Sequence, residues 1–117
     1  AFLRDEKKLY VANSDSLHAV WMQYDGNEKG FLENGTVFYD ASSLTAKEKG
    51  LTDGMKSDEA GNLYAAGPGG IWIFNPSGKV LGKIRTGQAT SNCAFNKDQS
   101  ALFITADMYL IRVKMKR

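Results

Sequence analysis

Asp53-Gly54-Met55-Lys56-Ser57-Asp58-Glu59-Ala60-Gly61-Asn62-Leu63-Tyr64-Ala65-Ala66, running on to Gly70-Ile71-Trp72-Ile73, recurs without a gap 39 positions later. The second copy runs from Asn92-Cys93-Ala94 through Ala101-Leu102-Phe103-Ile104-Thr105 to Tyr109-Leu110-Ile111-Arg112. An earlier copy, shifted by 54 positions, pairs Lys8-Leu9-Tyr10-Val11-Ala12 with Asn62-Leu63-Tyr64-Ala65-Ala66, and Trp21 then answers Trp72 after a slightly longer loop. In that copy the counterpart of Asp53 falls two residues in front of Ala1. Repeats of about 40 to 50 residues built from short strands mark propeller blades; helical repeats of that length need long 3.6-residue periodicity, which this chain lacks.

Within each copy, short apolar runs separated by Gly, Pro, Asn and Asp clusters predict antiparallel strands. The first unit reads as the end of a strand at Ala1 to Leu3, then Lys8 to Ala12, His18 to Tyr24 and Thr36 to Tyr39. Asp5-Glu6-Lys7 and Asp25-Gly26-Asn27 are its turns. The second reads as Gly54 to Ser57, Leu63 to Ala66, Ile71 to Phe74 and Val80 to Ile84. The third has three strands, Cys93 to Phe95, Leu102 to Ala106 and Tyr109 to Lys114, and the chain ends before a fourth. Between the first two units, Ser42 to Lys49 predicts one short helical turn behind Ser caps. The resulting organisation is a blade over 1–40, a linker over 41–52, a blade over 53–85 and an incomplete blade over 92–115.

Composition narrows the partners. The 117 residues carry a net charge of +2, with basic residues spread along the chain except for Arg112, Lys114, Lys116 and Arg117. That tail alternates with Ile111, Val113 and Met115, the period of a strand with one charged face, and gives no support to nucleic-acid binding. No apolar run approaches the ~20 residues that span a membrane. The single cysteine, Cys93, has apolar neighbours and reads as a small buried residue. A soluble protein is expected, with cytoplasm and periplasm equally open.

Chemistry concentrates at the starts of the innermost strands, which converge on the central channel of a propeller. Those positions are Asp53, Asn92 and the counterpart before Ala1. An Asp with amide oxygens around a channel mouth suits a hard divalent cation. From the residues alone Asp53 also reads as a turn residue, since Thr-Asp-Gly is a common turn composition, and Asn92 reads as structural. Gly67-Pro68-Gly69-Gly70 lacks the Lys-Ser/Thr ending and following helix of a phosphate loop and reads as a hairpin turn. His18 lies beside Ser14, Asp15 and Ser16, but loop neighbours do not make a catalytic triad and no nucleophile elbow is present. Trp21 and Trp72 read as packing residues.

The run Leu51-Thr52-Asp53-Gly54-Met55 through Ala66, continuing into Gly70-Ile71-Trp72-Ile73-Phe74-Asn75-Pro76-Ser77-Gly78-Lys79, resembles the senescence-marker-protein, gluconolactonase and luciferin-regenerating-enzyme family. Thr90 to Phe95 with Leu102 to Ala106 resembles that family's final blade, and Asp5 to Asp15 the blade preceding the Asp-Gly-Met motif. The resemblance implies an all-β fold, part of a longer six-bladed β-propeller, with about two and three-quarter blades of four-stranded antiparallel sheet in this chain. It also implies one divalent metal in the channel, calcium or zinc with manganese or magnesium as alternatives, and hydrolysis of sugar lactones.

In that family the metal is held by an N-terminal Glu, an Asn in a Pro-Asn-Gly motif and the Asp of the Asp-Gly-Met motif. Of these, Asp53 is present, as ligand and general base, and the Asn falls at the position the repeat places before Ala1. Asn13, Asp15, Gly67, Pro68 and Asp107 share its end of the sheets and are expected to shape a substrate pocket. The implied partners are a small-molecule lactone and further blades, supplied by a second chain, an upstream N-terminal part or self-association, with no nucleic acid and no membrane. Two other readings stay open: a non-enzymatic partial propeller that assembles with other blades, its Asp53 a turn residue, and a propeller hydrolysing organophosphates or other esters.

Overall fold

The computed structural model describes Ala1 and residues 7–116. Among these are ten strands: β1 (Lys8–Asp15), β2 (His18–Gly26), β3 (Leu32–Asp40), β4 (Met55–Ser57), β5 (Leu63–Gly67), β6 (Gly70–Phe74), β7 (Val80–Arg85), β8 (Thr90–Phe95), β9 (Ala101–Ala106) and β10 (Tyr109–Lys114). They form three consecutive antiparallel sheets, β1-β2-β3, β4-β5-β6-β7 and β8-β9-β10. This is the expected all-β, blade-by-blade architecture of a partial propeller. Tyr10 N–H donates to Ala1 O at 2.8 Å, so Ala1 lies alongside β1. The remainder of the strand expected at Ala1 to Leu3, and the Asp5-Glu6 part of the first turn, lie outside the described residues.

The turns at one end of the sheets share a device. The side-chain oxygen of Asn27, Asp58 or Asn75 accepts N–H groups two and four residues ahead at 2.9 to 3.0 Å. Such Asx turns give the backbone partners without a ladder. The short segment after β3 is a 3-10 turn over Ser42–Leu44. The expected Ser caps are absent; Asp40 Oδ1 accepts the Ser42 N–H at 2.9 Å, because the carboxylate two residues back reaches the donor that a serine at the turn's own start does not.

The middle sheet holds the structure together because both of its faces are covered. Along β5 every residue is buried, and alternate side chains serve different cores. Leu63 and Ala65 join Trp72, Phe74, Tyr10, Trp21 and Ala41 against the first sheet. Tyr64 and Ala66 join Ile71, Cys93, Leu102, Ile104 and Ala106 against the third. The first core is aromatic: Trp21 lies 5.6 Å from Trp72 and 5.1 Å edge-on to Phe74, and Tyr39 lies 5.2 Å from Trp72. Trp72 Nε1 donates to Pro68 O at 2.9 Å, whereas Trp21 Nε1 is buried with no acceptor among the described residues. The latter costs about 1–3 kcal/mol, which the ring contacts must outweigh.

One repeat equivalence is corrected by the register. Ala12 pairs with Trp21, whereas its counterpart Ala66 pairs with Ile71. The first hairpin runs two residue pairs further before turning, so the structural counterpart of Trp21 is Ile71, and Trp72, opposite Ala65, corresponds to Met22, opposite Val11. Trp21 and Trp72 meet from opposite sides of one interface. On the third sheet the charged-face reading holds: Arg112 and Lys114 are exposed, while Ile111, Val113 and Met115 pack on the core.

At the inner edge, β4 and β8 approach closely. Gly54 N–H donates to Ser91 O at 2.8 Å, and a Cβ at Gly54 would overlap Asn92 Oδ1 and Cγ and stand 2.9 Å from Asn92 Cβ. Gly54 is therefore required by close approach rather than by a turn.

Replacing Trp72 by Ala empties the centre of the aromatic core and should cost about 3–5 kcal/mol, while Leu17→Ala, 76% exposed, should change stability by less than about 0.5 kcal/mol. Chemical denaturation of both variants checks this, and similar midpoints would contradict the packing described. Gly54→Ala should cost about 1–3 kcal/mol by driving Asn92 off β4. A wild-type unfolding midpoint would show that the inner strands do not pack as closely as described.

Candidate functional site

Asp53 sits just before β4, in a segment whose backbone is divided among all three sheets. Thr52, fully buried, donates its hydroxyl to Asn13 O, and Ser14 Oγ donates to Thr52 O, both on β1. Asp53 N–H donates to Ala66 O on β5 at 2.9 Å, and Ala66 N–H returns a bond to Gly54 O at 2.9 Å. Gly54 N–H reaches Ser91 on β8. Two residues of the inner strand thus face one residue of β5, a local bulge that ends the ladder and leaves Asp53 projecting. The Asp53 side chain is exposed, and among the described residues no hydrogen bond or ion pair engages its carboxylate.

Asn92 occupies the matching place in the third sheet. It pairs with Thr105, as Asp53 bonds to Ala66, and Asn92 and Thr105 each lie 39 residues after their counterparts Asp53 and Ala66. Its Oδ1 accepts the Cys93 N–H at 2.9 Å and faces Lys56 Nζ at 3.3 Å. The structure therefore brings Asp53 and Asn92 to one end of adjacent inner strands, but the Asn92 oxygen is occupied within the fold.

The loops expected around Asp53 are stitched to one another. Asn13 Nδ2 donates to His18 O at 2.9 Å, and Asp15 Oδ1 accepts the Leu17 N–H at 2.9 Å. Gly67-Pro68-Gly69-Gly70 is the β5–β6 hairpin turn, with Gly69 and Gly70 at positive φ. Gly69 N–H donates to Lys49 O at 2.8 Å, Thr86 N–H to Gly69 O at 3.2 Å and Asp107 N–H to Ala89 O at 2.9 Å. His18 Nδ1 stands 3.7 Å from Asp15 Oδ2 in an exposed turn, while the Ser14 hydroxyl is spent on Thr52, so no triad geometry exists there.

Three contributors were not singled out in the sequence. Thr52 reads as part of a turn until its burial is seen. Lys56 has a faint signal: the 39-residue repeat sets it against Phe95, a charge in place of an aromatic ring. Glu48 pairs with Arg85 across 37 residues at 2.5 Å, and the guanidinium holds the Glu48 carboxyl below the usual carboxylate range.

As donors for a metal, the residues present fit in part. Asp53 offers a free carboxylate on a rigid backbone. Among the described residues no three His, Cys, Asp or Glu side chains gather closely enough to hold an ion by themselves. Cys93 is buried, its Sγ lies 3.6 Å from Tyr64 O, and burial pushes its thiol up to about 11, which makes it a poor ligand and nucleophile.

The comparisons with known proteins agree with this architecture. Residues 1–107 match the family described as SMP-30/Gluconolactonase/LRE-like region. A gluconolactonase of Zymomonas mobilis subsp. mobilis is 42% identical over 120 residues, covering 96% of this chain and 33% of that protein. The structure of a gluconolactonase from Xanthomonas campestris superposes with a TM-score of 0.78 at 30% identity, covering 90% of this chain and 33% of the other. A putative gluconolactonase does so with a TM-score of 0.79 at 28% identity, covering 97% and 36%. A luciferin-regenerating enzyme shares the fold, with a TM-score of 0.74 at 20% identity over 90% of this chain and 35% of that one. The chain spans about a third of the length of the relatives it matches. By the family match and this extent of shared structure, the chain belongs to the SMP-30/gluconolactonase/LRE-like family.

Proposed function

We propose that this chain supplies the Asp53 side of a divalent-metal-dependent lactonase that hydrolyses sugar lactones. The observation that carries the reading is a carboxylate with no partner among the described residues, on a backbone segment bonded to all three sheets at the inner edge where they meet. The further blades of the ring, on the same polypeptide or another, supply the remaining ligands.

Asp53 would hold the cation through a carboxylate oxygen. A carboxylate oxygen suits calcium, and equally zinc, manganese or magnesium, with the remaining ligands setting the choice. When bound, the cation supplies Lewis-acid polarisation of the lactone carbonyl and of a water. Asp53 orients that water and accepts its proton as the water oxygen bonds to the carbonyl carbon. The ring C–O bond then breaks, and the released oxygen takes the proton held by Asp53, which gives the open hydroxy acid and returns Asp53 to its carboxylate form. The joint formed by Thr52 and Gly54 keeps Asp53 from following the substrate, so that ligand and base geometry are set before binding.

Asp53→Asn in the full-length, metal-loaded protein keeps the side-chain size but removes the charge. It should lower kcat/KM for gluconolactone by at least about 100-fold and weaken calcium binding, with an unchanged far-UV circular dichroism spectrum. Full turnover by the variant would remove Asp53 from the mechanism.

A further inference from the structure

Lys56 is a cation that neither the core nor the proposed metal site uses. It projects from the innermost strand, three residues beyond Asp53, and is exposed. Its ammonium is drawn to the level of the strand starts by Asn92 Oδ1 at 3.3 Å. That oxygen is itself fixed, because it also accepts the Cys93 N–H and the Asn92 side chain is pressed against Gly54. Three other basic side chains have partners: Lys8 pairs with Asp25, Arg85 with Glu48, and Lys83 lies over the Trp72 ring at 3.7 Å. Among the described residues no carboxylate pairs with Lys56. Its field reaches the Cys93 thiol, where it opposes the upward push of burial. Lys56, Asn92 and Cys93 border a groove of about 240 Å³ whose other walls, Ala94, Phe103, Thr105 and Leu110, lie on the face of the third sheet turned away from the second.

We propose that Lys56, steered by Asn92 and three residues along the inner strand from Asp53, is an anion subsite that takes the carboxylate of the ring-opened sugar acid. This rests on the lactonase reading. Hydrolysis converts a neutral lactone into an acid that loses its proton near neutral pH, so the product gains one negative charge that the substrate lacks. An ammonium with two N–H groups left beyond its contact to Asn92 can bond that carboxylate directly, and the carboxylate is the charge-assisted partner the fold has not provided. Lys56 therefore discriminates product from substrate and sets how strongly the product is retained.

The test is calorimetric titration of the full-length, calcium-loaded protein with gluconate and, separately, with glucitol, which keeps the hydroxyls and lacks the charge. Lys56→Met should weaken gluconate binding about tenfold and leave glucitol unchanged. Lys56→Arg should restore gluconate binding to within about threefold of wild type, and the wild-type preference should shrink at high salt. Equal gluconate affinity in wild type and Lys56→Met, or no gluconate binding by the wild type, would overturn the subsite. Gluconolactone hydrolysis by the same preparation separates the two readings. Absent turnover with gluconate binding that Lys56→Met weakens would reject the lactonase and keep the subsite; normal turnover with unaltered gluconate binding would do the reverse.

Discussion

The backbone groups of Thr52, Asp53 and Gly54 are shared among three sheets, and the placement of every inner-strand side chain depends on that sharing. Thr52 bonds to β1, Asp53 and Gly54 to β5, and Gly54 to β8. A buried peptide group without a partner is costly, so each of these bonds fixes the segment against one more neighbour. With its backbone committed in three directions, Asp53 can offer only its side chain. The same joint brings Asn92 over Gly54 and, through Asn92, draws in Lys56. An acidic group and a basic group thus reach one end of the inner strands through a single packing solution.

The two cores explain why the joint holds. The middle sheet sends Trp72 and Phe74 to one side and Ile71 with Tyr64 to the other, so neither neighbouring sheet can rotate without opening a core. The aromatic core between the first two sheets is rigid and directional, and it accommodates one unpaired indole N–H at Trp21. The core between the second and third sheets is aliphatic apart from the edge-on pair Tyr64 and Phe95, centroids 4.9 Å apart. Both cores lie behind the joint, which leaves polar and charged residues to occupy the loop end.

Much of this was legible in the residues because a gapless repeat carries register with it. The 39-residue shift placed Asp53 and Asn92 at equivalent strand starts, and the pairing of Asn92 with Thr105 bears that equivalence out. The alternation of Ile111, Val113 and Met115 with charges gave the face of β10. Where the repeat changes length the reading failed: with the longer first hairpin, Trp21 holds the place of Ile71, and Met22 the place of Trp72. Thr52, Lys56 and the Glu48–Arg85 pair were not legible, since each role is created by contacts 36 to 39 residues away and no local pattern announces it. Capping by Asp40 in place of serine is a smaller instance, decided by which oxygen reaches the free N–H.

On the proposed lactonase reading, a divalent cation binds at the end of the inner strands bearing Asp53 and not at the end bearing the Asx turns. Manganese titrated into the isotopically labelled protein, with amide relaxation measured by nuclear magnetic resonance, tests this directly. Selective broadening of the Asp53, Gly54 and Ala66 amides is expected, with Asn27, Asp58 and Asn75 at the opposite turns unaffected. Broadening centred on those turns, or spread evenly over the acidic surface, would contradict it.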